Sequence, residues 1–188
     1  MTTLRDANEQ LAFLRLVVNR VEDASIPYFI TGSIALAVYA TPRMTRDIDV
    51  VVDCDERGAA ALATAFVVDS YASPEAAREA VRTTGMFNVI HNESLLKADF
   101  IIRKRDALTD EQFTRRRSID LGGFSASVIS PEDLILAKLS WSREMHSARQ
   151  LEDVRAIIAA APHLDWRYLS TWSVRIGVDE VLDQMKRT

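Results

Sequence analysis

Two short stretches of this chain combine residue types that could bind a phosphate and a metal ion. The first is Thr31-Gly32-Ser33, which follows an apolar segment (Tyr28–Ile30) and precedes small and apolar residues over 34–39. The apolar segment predicts a short buried strand, and the later run predicts a helix. A Gly-Ser turn from a strand into a helix exposes free N–H groups at the positive end of the helix dipole. The first stretch therefore predicts an anion site.

The second stretch carries two carboxylates. Asp47 and Asp49 are separated by one isoleucine and run into three valines that end at Val52. Alternate residues of a strand share a face, so these two aspartates point to the same side. Adjacent carboxylates repel each other and lose solvation, and a divalent cation would offset both costs. An anion site followed by a carboxylate pair predicts a site for a metal-bound nucleotide.

Strands and helices alternate around these two stretches. Regularly spaced Leu and Val residues predict an amphipathic helix over residues 5–23. Two further helices are predicted over 55–66 and 73–84, and an antiparallel hairpin is predicted from strands at 87–91 and 96–102. We therefore expect an α+β fold, with α/β-like strand–helix units, in which a small mixed sheet is flanked by helices.

The last part of the chain is predicted to be mainly helical. A hairpin over 118–128 with a Gly-Gly turn precedes Ser130-Pro131-Glu132-Asp133. This tetrapeptide predicts a helix start, because it combines an N-cap residue, a proline and acids in the first turn. We expect one domain (1–188), with a sheet core over about 25–129 and a helical part over about 130–188.

Composition limits the kinds of partner that the protein can have. The formal net charge is −4, which disfavours a surface that binds nucleic acid throughout but permits local basic patches, so no DNA partner is expected. A single cysteine excludes an intrachain disulfide, and the scattered His91, His146 and His163 do not complete a zinc cluster. The chain has no signal-like segment and no apolar run of membrane-spanning length. We therefore expect a cytoplasmic protein without a membrane partner.

Two sets of basic residues have two interpretations each. Arg43 and Arg46 precede Asp47, where they either bind phosphate oxygens or balance the carboxylates, or are solvated loop charges. Two basic triplets, at 103–105 and 115–117, follow the second strand of the first hairpin. On an acidic protein they could contact an RNA or a triphosphate, or they could be solvated helix charges.

Three charged residues of the helical part also have two interpretations. Lys138 interrupts an apolar helical run, so it either extends to the surface from a core helix or reaches into the site as a phosphate ligand. Arg149 and Asp153 are four residues apart on one helix face and could form a helix-stabilising ion pair.

Together, the first motifs resemble the signature of the nucleotidyltransferase (polymerase-beta-like) superfamily. The similarity lies in Gly32-Ser33 followed at this distance by Asp47-Ile48-Asp49-Val50. The superfamily needs a third carboxylate on a later strand, and the chain offers Asp99. The resemblance implies the nucleotidyltransferase fold and a catalytic triad of aspartates that binds Mg²⁺ or Mn²⁺, namely Asp47, Asp49 and Asp99. For Asp99 to join the other two, its strand must lie beside theirs.

The second half of the chain resembles the AbiEii-like branch of that superfamily, whose members include toxins of toxin–antitoxin systems. The similarity lies in residues 130–139 and in Arg149-Gln150 followed by Asp153-Val154. In that branch a lysine and a later aspartate accompany the metal carboxylates. By motif these are Lys138 and Asp153, with Arg149 one turn before the aspartate.

The resemblance implies transfer of a nucleoside monophosphate from an NTP to an acceptor hydroxyl, with release of pyrophosphate. The nucleotide would be bound by Gly32, Ser33, Arg46, Lys138 and Arg149. The acceptor would be a tRNA or other RNA for a toxin-type enzyme with a cognate antitoxin, an antibiotic-like small molecule, or a protein side chain. The alternative outside catalysis is a module that binds a nucleotide or a partner without turnover.

Overall fold

The computed structural model of the chain describes residues 2–41, 45–145 and 147–186. Arg43 and His146 lie outside these residues. The described helices are α1 (Thr2–Asp23), α2 (Gly32–Tyr39), α3 (Glu56–Phe66), α4 (Pro74–Thr83), α5 (Ala107–Arg115), α6 (Pro131–Met145), α7 (Ala148–Ala160), α8 (Trp166–Ile176) and α9 (Asp179–Lys186). The described strands are β1 (Tyr28–Ile30), β2 (Asp47–Val52), β3 (Ser70–Ala72), β4 (Met86–His91), β5 (Lys97–Ile102), β6 (Arg117–Asp120) and β7 (Ser125–Val128).

These strands form one mixed sheet in the order β3-β4-β5-β2-β1-β7-β6. β5 pairs with β4 as the predicted antiparallel hairpin, and its other edge pairs with β2 in parallel. The neighbouring position of β2 and β5, which the site requires, is therefore confirmed. The predicted α+β class is confirmed as well, since helices flank this mixed sheet.

The two faces of β2 differ in polarity, as the sequence alternation predicted. Ile48, Val50 and Val52 are almost fully buried, whereas Asp47 and Asp49 project from the other face. On the buried face, Phe100 of β5 stacks on Phe87 of β4 with ring centroids 5.0 Å apart. Burial of each such side chain contributes about 2 kcal/mol. Hydrophobic burial on one face thus holds strands together that carry like charges on the other.

The predicted helix starts at Ser73 and Ser130 are confirmed by their capping contacts. Ser73 accepts a hydrogen bond from the N–H of Ala76 at 3.1 Å, and Ser130 accepts one from the N–H of Asp133 at 3.2 Å. β3 was not predicted, because three residues are too few to show the alternation of a strand. None of the described helices is both long and apolar enough to cross a lipid bilayer.

Candidate active site

The sheet brings the three aspartates of the sequence motifs to one face. In the parallel pairing of β2 with β5, Asp49 lies opposite Asp99, and Asp47 lies opposite Lys97. Residues directly opposite each other on neighbouring strands point to the same side. Asp99 is buried with 8% of its surface exposed, Asp49 is half-buried and Asp47 is exposed. This face of the sheet therefore carries three carboxylates, and their burial increases from Asp47 through Asp49 to Asp99.

The Gly-Ser turn lies directly against this carboxylate group. Gly32 begins α2 with φ +63°, and the N–H of Thr31 donates to the backbone carbonyl of Asp49 at 2.9 Å. A Cβ atom on Gly32 would lie 1.9 Å from Oδ2 of Asp49. Only glycine tolerates both the left-handed backbone and this close approach. The Gly-Ser turn and the predicted carboxylate pair are thus in direct contact.

The N-terminus of α2 has the character expected of an anion site. Thr31 occupies the N-cap position, but its side chain forms no capping hydrogen bond. The first N–H groups of a helix have no partner within the helix, so those of α2 are left without the usual side-chain acceptor. Ser33, the second residue of α2, is half-buried beside Gly32.

The pKa of Asp49 responds to its burial and to the two neighbouring carboxylates. Burial, followed by the charges of Asp99 and Asp47, raises the pKa of Asp49 above its usual range. The positive charges of Lys97 and Lys138 act in the opposite direction. The repulsion and the desolvation inferred from the sequence are therefore both present at Asp49.

Lys97 and Asn88 were not expected in the site, yet both contact the aspartates. Nζ of Lys97 lies 2.8 Å from Oδ2 of Asp99 and 3.6 Å from Oδ1 of Asp47. The hydrogen bond with Asp99 is the largest cause that raises the pKa of Lys97. Asn88, which lies opposite Asp99 on β4, donates a hydrogen bond to Oδ1 of Asp99. The two-residue spacing of Lys97 and Asp99 was the available sequence signal for the lysine, whereas Asn88 becomes visible only once the strand register is known.

Lys138 and Asp153, the lysine and the aspartate of the AbiEii-like motif, are in contact. Nζ of Lys138 lies 2.7 Å from Oδ2 of Asp153 and 3.1 Å from Oε1 of Gln150. Both charged residues are buried between α6 and α7, so extension of the lysine to the surface is wrong. Asp153 pairs with Lys138, and Arg149 is an exposed residue that forms no ion pair with the described part of the chain.

Arg46 contributes to the observed site only through its backbone. The backbone carbonyl of Arg46 accepts a hydrogen bond from the N–H of Lys97 at 3.1 Å. The Arg46 side chain is exposed and forms no hydrogen bond or ion pair with other described residues. Its charge therefore has no ion-pair partner among the described residues, and Arg43 is outside the described ranges.

The two basic triplets are largely engaged in ion pairs. Arg103 and Arg105 both pair with Asp53, and Arg103 also pairs with Asp110. Arg115 and Arg117 of the second triplet both approach the buried carboxylate of Glu132, at 3.1 and 3.7 Å. Interpretation as solvated charges is therefore wrong for Arg103 and Arg115, whose side chains are only 16% and 26% exposed, whereas Arg105 and Arg117 are exposed to solvent. Their pairing also reduces the basic surface that an RNA could contact.

The three aspartates are suitable ligands for a divalent cation, but their side chains do not converge on one point in this structure. Carboxylate oxygens are the ligands that Mg²⁺ and Mn²⁺ prefer, and the register of β2 and β5 places the three aspartates on neighbouring positions. Within the described ranges, no three His, Cys, Asp or Glu side chains converge closely enough to hold a metal ion. Lys97 and Asn88 engage both oxygens of Asp99. The site thus has suitable donors, and side-chain rotation is needed to direct them at one ion.

Comparison with known proteins gives matches in structure and none in sequence. No family model and no curated protein sequence matches the chain. It is similar to an antigenic nucleotidyltransferase-like protein from Paracoccidioides brasiliensis, with a TM-score of 0.61 and 18% identity over 95% of this chain and 92% of that chain. It is similar to the antibiotic-resistance factor ANT(2″)-Ia, with a TM-score of 0.59 and 12% identity over 94% and 98% of the two chains.

A candidate nucleotidyltransferase from Thermotoga maritima is also similar, with a TM-score of 0.54 and 21% identity over 77% of this chain and 91% of that chain. At these identities the likeness establishes the fold and nothing finer. None of the three proteins is described as an AbiEii-like toxin, so assignment to that branch stays a prediction. The chain has the nucleotidyltransferase fold that its glycine–serine and aspartate motifs predicted.

Proposed function

We propose that this protein is a nucleotidyltransferase that transfers a nucleoside monophosphate from an NTP to an acceptor hydroxyl and releases pyrophosphate. The observation that carries the proposal is the contact between the Gly-Ser turn and the carboxylate group. Gly32 has no room for a side chain because Asp49 lies against it, and Asp99 lies opposite Asp49 on the next strand. A triphosphate on the turn would therefore have its reacting end beside the carboxylates.

The three aspartates would hold Mg²⁺ or Mn²⁺, which supplies charge neutralisation at the phosphates and a more acidic acceptor hydroxyl when it is bound. Asp99, the most buried of the three, would also accept the proton of the acceptor hydroxyl. The acceptor oxygen forms a bond to the α-phosphorus while the bond from that phosphorus to the pyrophosphate oxygen breaks.

Other residues would bind the nucleotide. The N–H groups of Gly32 and Ser33 would donate to the β- and γ-phosphates, because the helix N-terminus is uncapped by Thr31. Lys138 would act as a fixed positive charge, and Asp153 would orient it through their 2.7 Å contact.

Two exposed arginines complete the proposed nucleotide site. Arg46, which is exposed next to Asp47 and has no ion pair with the described residues, would reach the phosphates from the edge of the site. Arg149 would make an outer contact, and it is the proposed ligand with the least support from the geometry.

The test of the proposal is transfer of label from each α-labelled NTP, with Mg²⁺ present, to separate pools of acceptors. Replacement of Asp49 by Asn should reduce transfer by about 100-fold or more, because it removes one of the proposed metal ligands but keeps the shape. Asp183→Asn is the matched control, since Asp183 is an exposed aspartate of α9. Equal activity of Asp49→Asn and the control would refute the proposed role of the carboxylates. Nucleotide binding without any transfer would favour the non-catalytic module.

A small-molecule hydroxyl is the acceptor that we favour. The ion pairs of Arg103, Arg105, Arg115 and Arg117 partly neutralise both basic triplets, which weakens the argument for an RNA acceptor. ANT(2″)-Ia, one of the similar structures, has been solved with adenylyl-2″-tobramycin. Aminoglycosides are therefore the first small-molecule pool to test, and transfer to total tRNA instead would overturn this preference.

A toxin-type enzyme that modifies tRNA and is neutralised by an antitoxin is the second candidate. The observation that favours it is the buried contact of Lys138 with Asp153, the two residues of the AbiEii-like motif. Growth arrest on expression of the wild type, absent for Asp49→Asn, together with label on tRNA would support this candidate.

A further inference from the structure

Lys97 is the one cation that bridges two of the proposed metal ligands within the described ranges. Its ammonium lies 2.8 Å from Asp99 on its own strand and 3.6 Å from Asp47 on the neighbouring strand. It therefore spans the boundary between β5 and β2, where a metal ion shared by these aspartates would lie. A positive charge of this chain competes for the oxygens that a metal would need.

The geometry also allows the ammonium group of Lys97 to move away from the two aspartates. Its backbone is fixed, because its N–H donates to the carbonyl of Arg46 at 3.1 Å and the residue pairs within β5. Its side chain is 34% exposed and has four rotatable bonds, so the ammonium can move away while the strand stays in place. The ammonium is thus a displaceable cation on a rigid support.

The partners of Asp99 indicate what changes when Lys97 moves. Asn88 occupies Oδ1 of Asp99, and Lys97 occupies Oδ2. Release of Lys97 frees Oδ2 and one side of Asp47, while Asn88 continues to orient Asp99. A nucleotide brings phosphate oxygens that can receive the released ammonium, and a metal ion alone does not.

We propose that Lys97 is a built-in counter-cation that competes with the divalent cation for Asp47 and Asp99. The free protein then binds the metal weakly, and it binds the metal tightly only together with a nucleotide, whose phosphates accept Lys97. This inference rests on the proposed function, since it concerns the same carboxylates. Lys97 acts through the two aspartates and is a positioning residue.

The test is the binding of Mn²⁺ alone, measured by the electron paramagnetic resonance signal of the free ion. Lys97→Met should bind Mn²⁺ roughly fivefold more tightly than the wild type, which is the upper end of what a partly exposed ion pair contributes. Lys97→Arg, which keeps the charge, should stay near the wild type. Arg46→Met is the matched control, because it removes an equal charge beside Asp47 that forms no ion pair with the described residues. Its Mn²⁺ affinity should change less than twofold.

A second titration includes a non-hydrolysable NTP analogue. The analogue should raise the Mn²⁺ affinity of the wild type more than that of Lys97→Met, because only the wild type has a competing ammonium to relocate. This coupling distinguishes a competing cation from a lysine that merely supports the strand. Circular dichroism and urea unfolding of each variant confirm that the proteins compared are folded.

The outcomes separate this inference from the proposed function. Equal Mn²⁺ affinities of the wild type and Lys97→Met, with binding that Asp49→Asn abolishes, would overturn the inference and leave the proposed function standing. Equal increases for Lys97→Met and Arg46→Met would overturn it too, since any nearby positive charge would then have the same effect. Failure of every protein to bind Mn²⁺, with and without the analogue, would overturn both.

Discussion

Two regions of this molecule gather carboxylates and cations, and they do so in opposite ways. The carboxylate face holds Asp47, Asp49, Asp99 and Lys97 on β2 and β5. The network at the start of α6 holds Glu132 and Asp133 with Arg115, Tyr168 and Ser130. Both buried acids of that network have a hydrogen-bond donor for each carboxylate oxygen within the described structure. The carboxylate of Asp49 accepts no hydrogen bond from any described residue.

The difference indicates how a charge cluster that stabilises the fold can be distinguished from one that is able to bind a ligand. In the network, Tyr168 donates to Asp133 at 2.6 Å, Ser130 donates to its other oxygen at 2.6 Å, and Arg115 stacks 3.9 Å over the Tyr168 ring. Asp133 is fully buried, so these contacts join α5, α6 and α8 out of reach of solvent. On the carboxylate face, like charges face each other and the bridging cation is partly exposed. A ligand can bind to carboxylates that lack hydrogen-bond donors and are still accessible.

The largest expected effect is on the network. Arg115→Met should lower the free energy of unfolding by about 3 kcal/mol, because it leaves Glu132 and Asp133 buried without their main cation. Urea unfolding measures this loss, and the transfer rate of the folded variant should be unchanged. Arg117→Met is the control, because Arg117 is half exposed and lies 3.7 Å from the same Glu132. Its cost should be below about 1 kcal/mol. Equal costs for the two variants would contradict the distinction.

The next largest effect concerns the carboxylate face. Gly32→Ala should lower the free energy of unfolding by about 2 kcal/mol, because it combines left-handed backbone strain with displacement of Asp49. Transfer should fall at least as far as for Asp49→Asn. Gly123→Ala separates the two causes, because Gly123 has φ +100° and no atom within 4 Å of a Cβ. A Gly123→Ala variant as inactive as Gly32→Ala would disprove the importance of the contact with Asp49.

A smaller effect tests the hydrogen bonding of the buried Asp133 carboxylate. Tyr168→Phe should cost about 1–2 kcal/mol at neutral pH, since it removes the donor to one buried carboxylate oxygen. Thermal unfolding measures the cost, and transfer by the folded protein should be unaffected. Tyr71→Phe, at an exposed tyrosine of β3, is the control and should be neutral.

The cost of Tyr168→Phe should also depend on pH with a definite sign. Burial is the largest cause that raises the pKa of Asp133, and the hydrogen bonds from Ser130 and Tyr168 oppose it. Loss of Tyr168 raises this folded-state pKa further above the unfolded value, so the variant takes up a proton more readily when folded. Its deficit should therefore be fully present above the folded pKa and should shrink as the pH falls through it. A deficit that grows on acidification would contradict the assignment.

The smallest expected effect returns to Lys97. Lys97→Met should change the free energy of unfolding by less than about 1 kcal/mol, because its ion pairs are partly exposed and salt-screened. Lys97 and Arg115 each contact two acids, so the comparison with Arg115→Met isolates the effect of burial. A loss for Lys97→Met as large as that for Arg115→Met would make Lys97 a structural residue. Urea unfolding of Lys97→Met and Arg115→Met in parallel distinguishes these two outcomes.

The parts of the site that were predictable from the sequence are those encoded by local pattern. Gly32 and Asp49 could be recognised because a turn and a strand alternation each need only a few consecutive residues. Asp99 could be proposed by resemblance, but its place beside Asp49 depends on how β5 joins the sheet. Cross-strand partners such as Asn88 depend on register, which sequence spacing does not reveal.

The helical part illustrates the same limit. Arg149 and Asp153 have the spacing of an ion pair, yet Asp153 pairs with Lys138 from another helix. A buried acid gains more from a buried cation than from an exposed one, and which cation is buried depends on helix packing. For the same reason the triplet that contains Arg115 looked like a surface patch. Its buried partner, Glu132, lies seventeen residues further along the chain.

The position of β5 between β4 and β2 has a consequence for how the site is assembled during folding. β4 and β5 form a hairpin that is local in sequence, as is the unit of β1, α2 and β2, whereas the pairing of β2 with β5 closes a long loop. The carboxylate face is therefore complete only once these two units have paired, one with Asp47 and Asp49 and the other with Asp99. Lys97 arrives on the same unit as Asp99. The strand that places Asp99 beside the other two aspartates thus also supplies the counter-charge for Asp47.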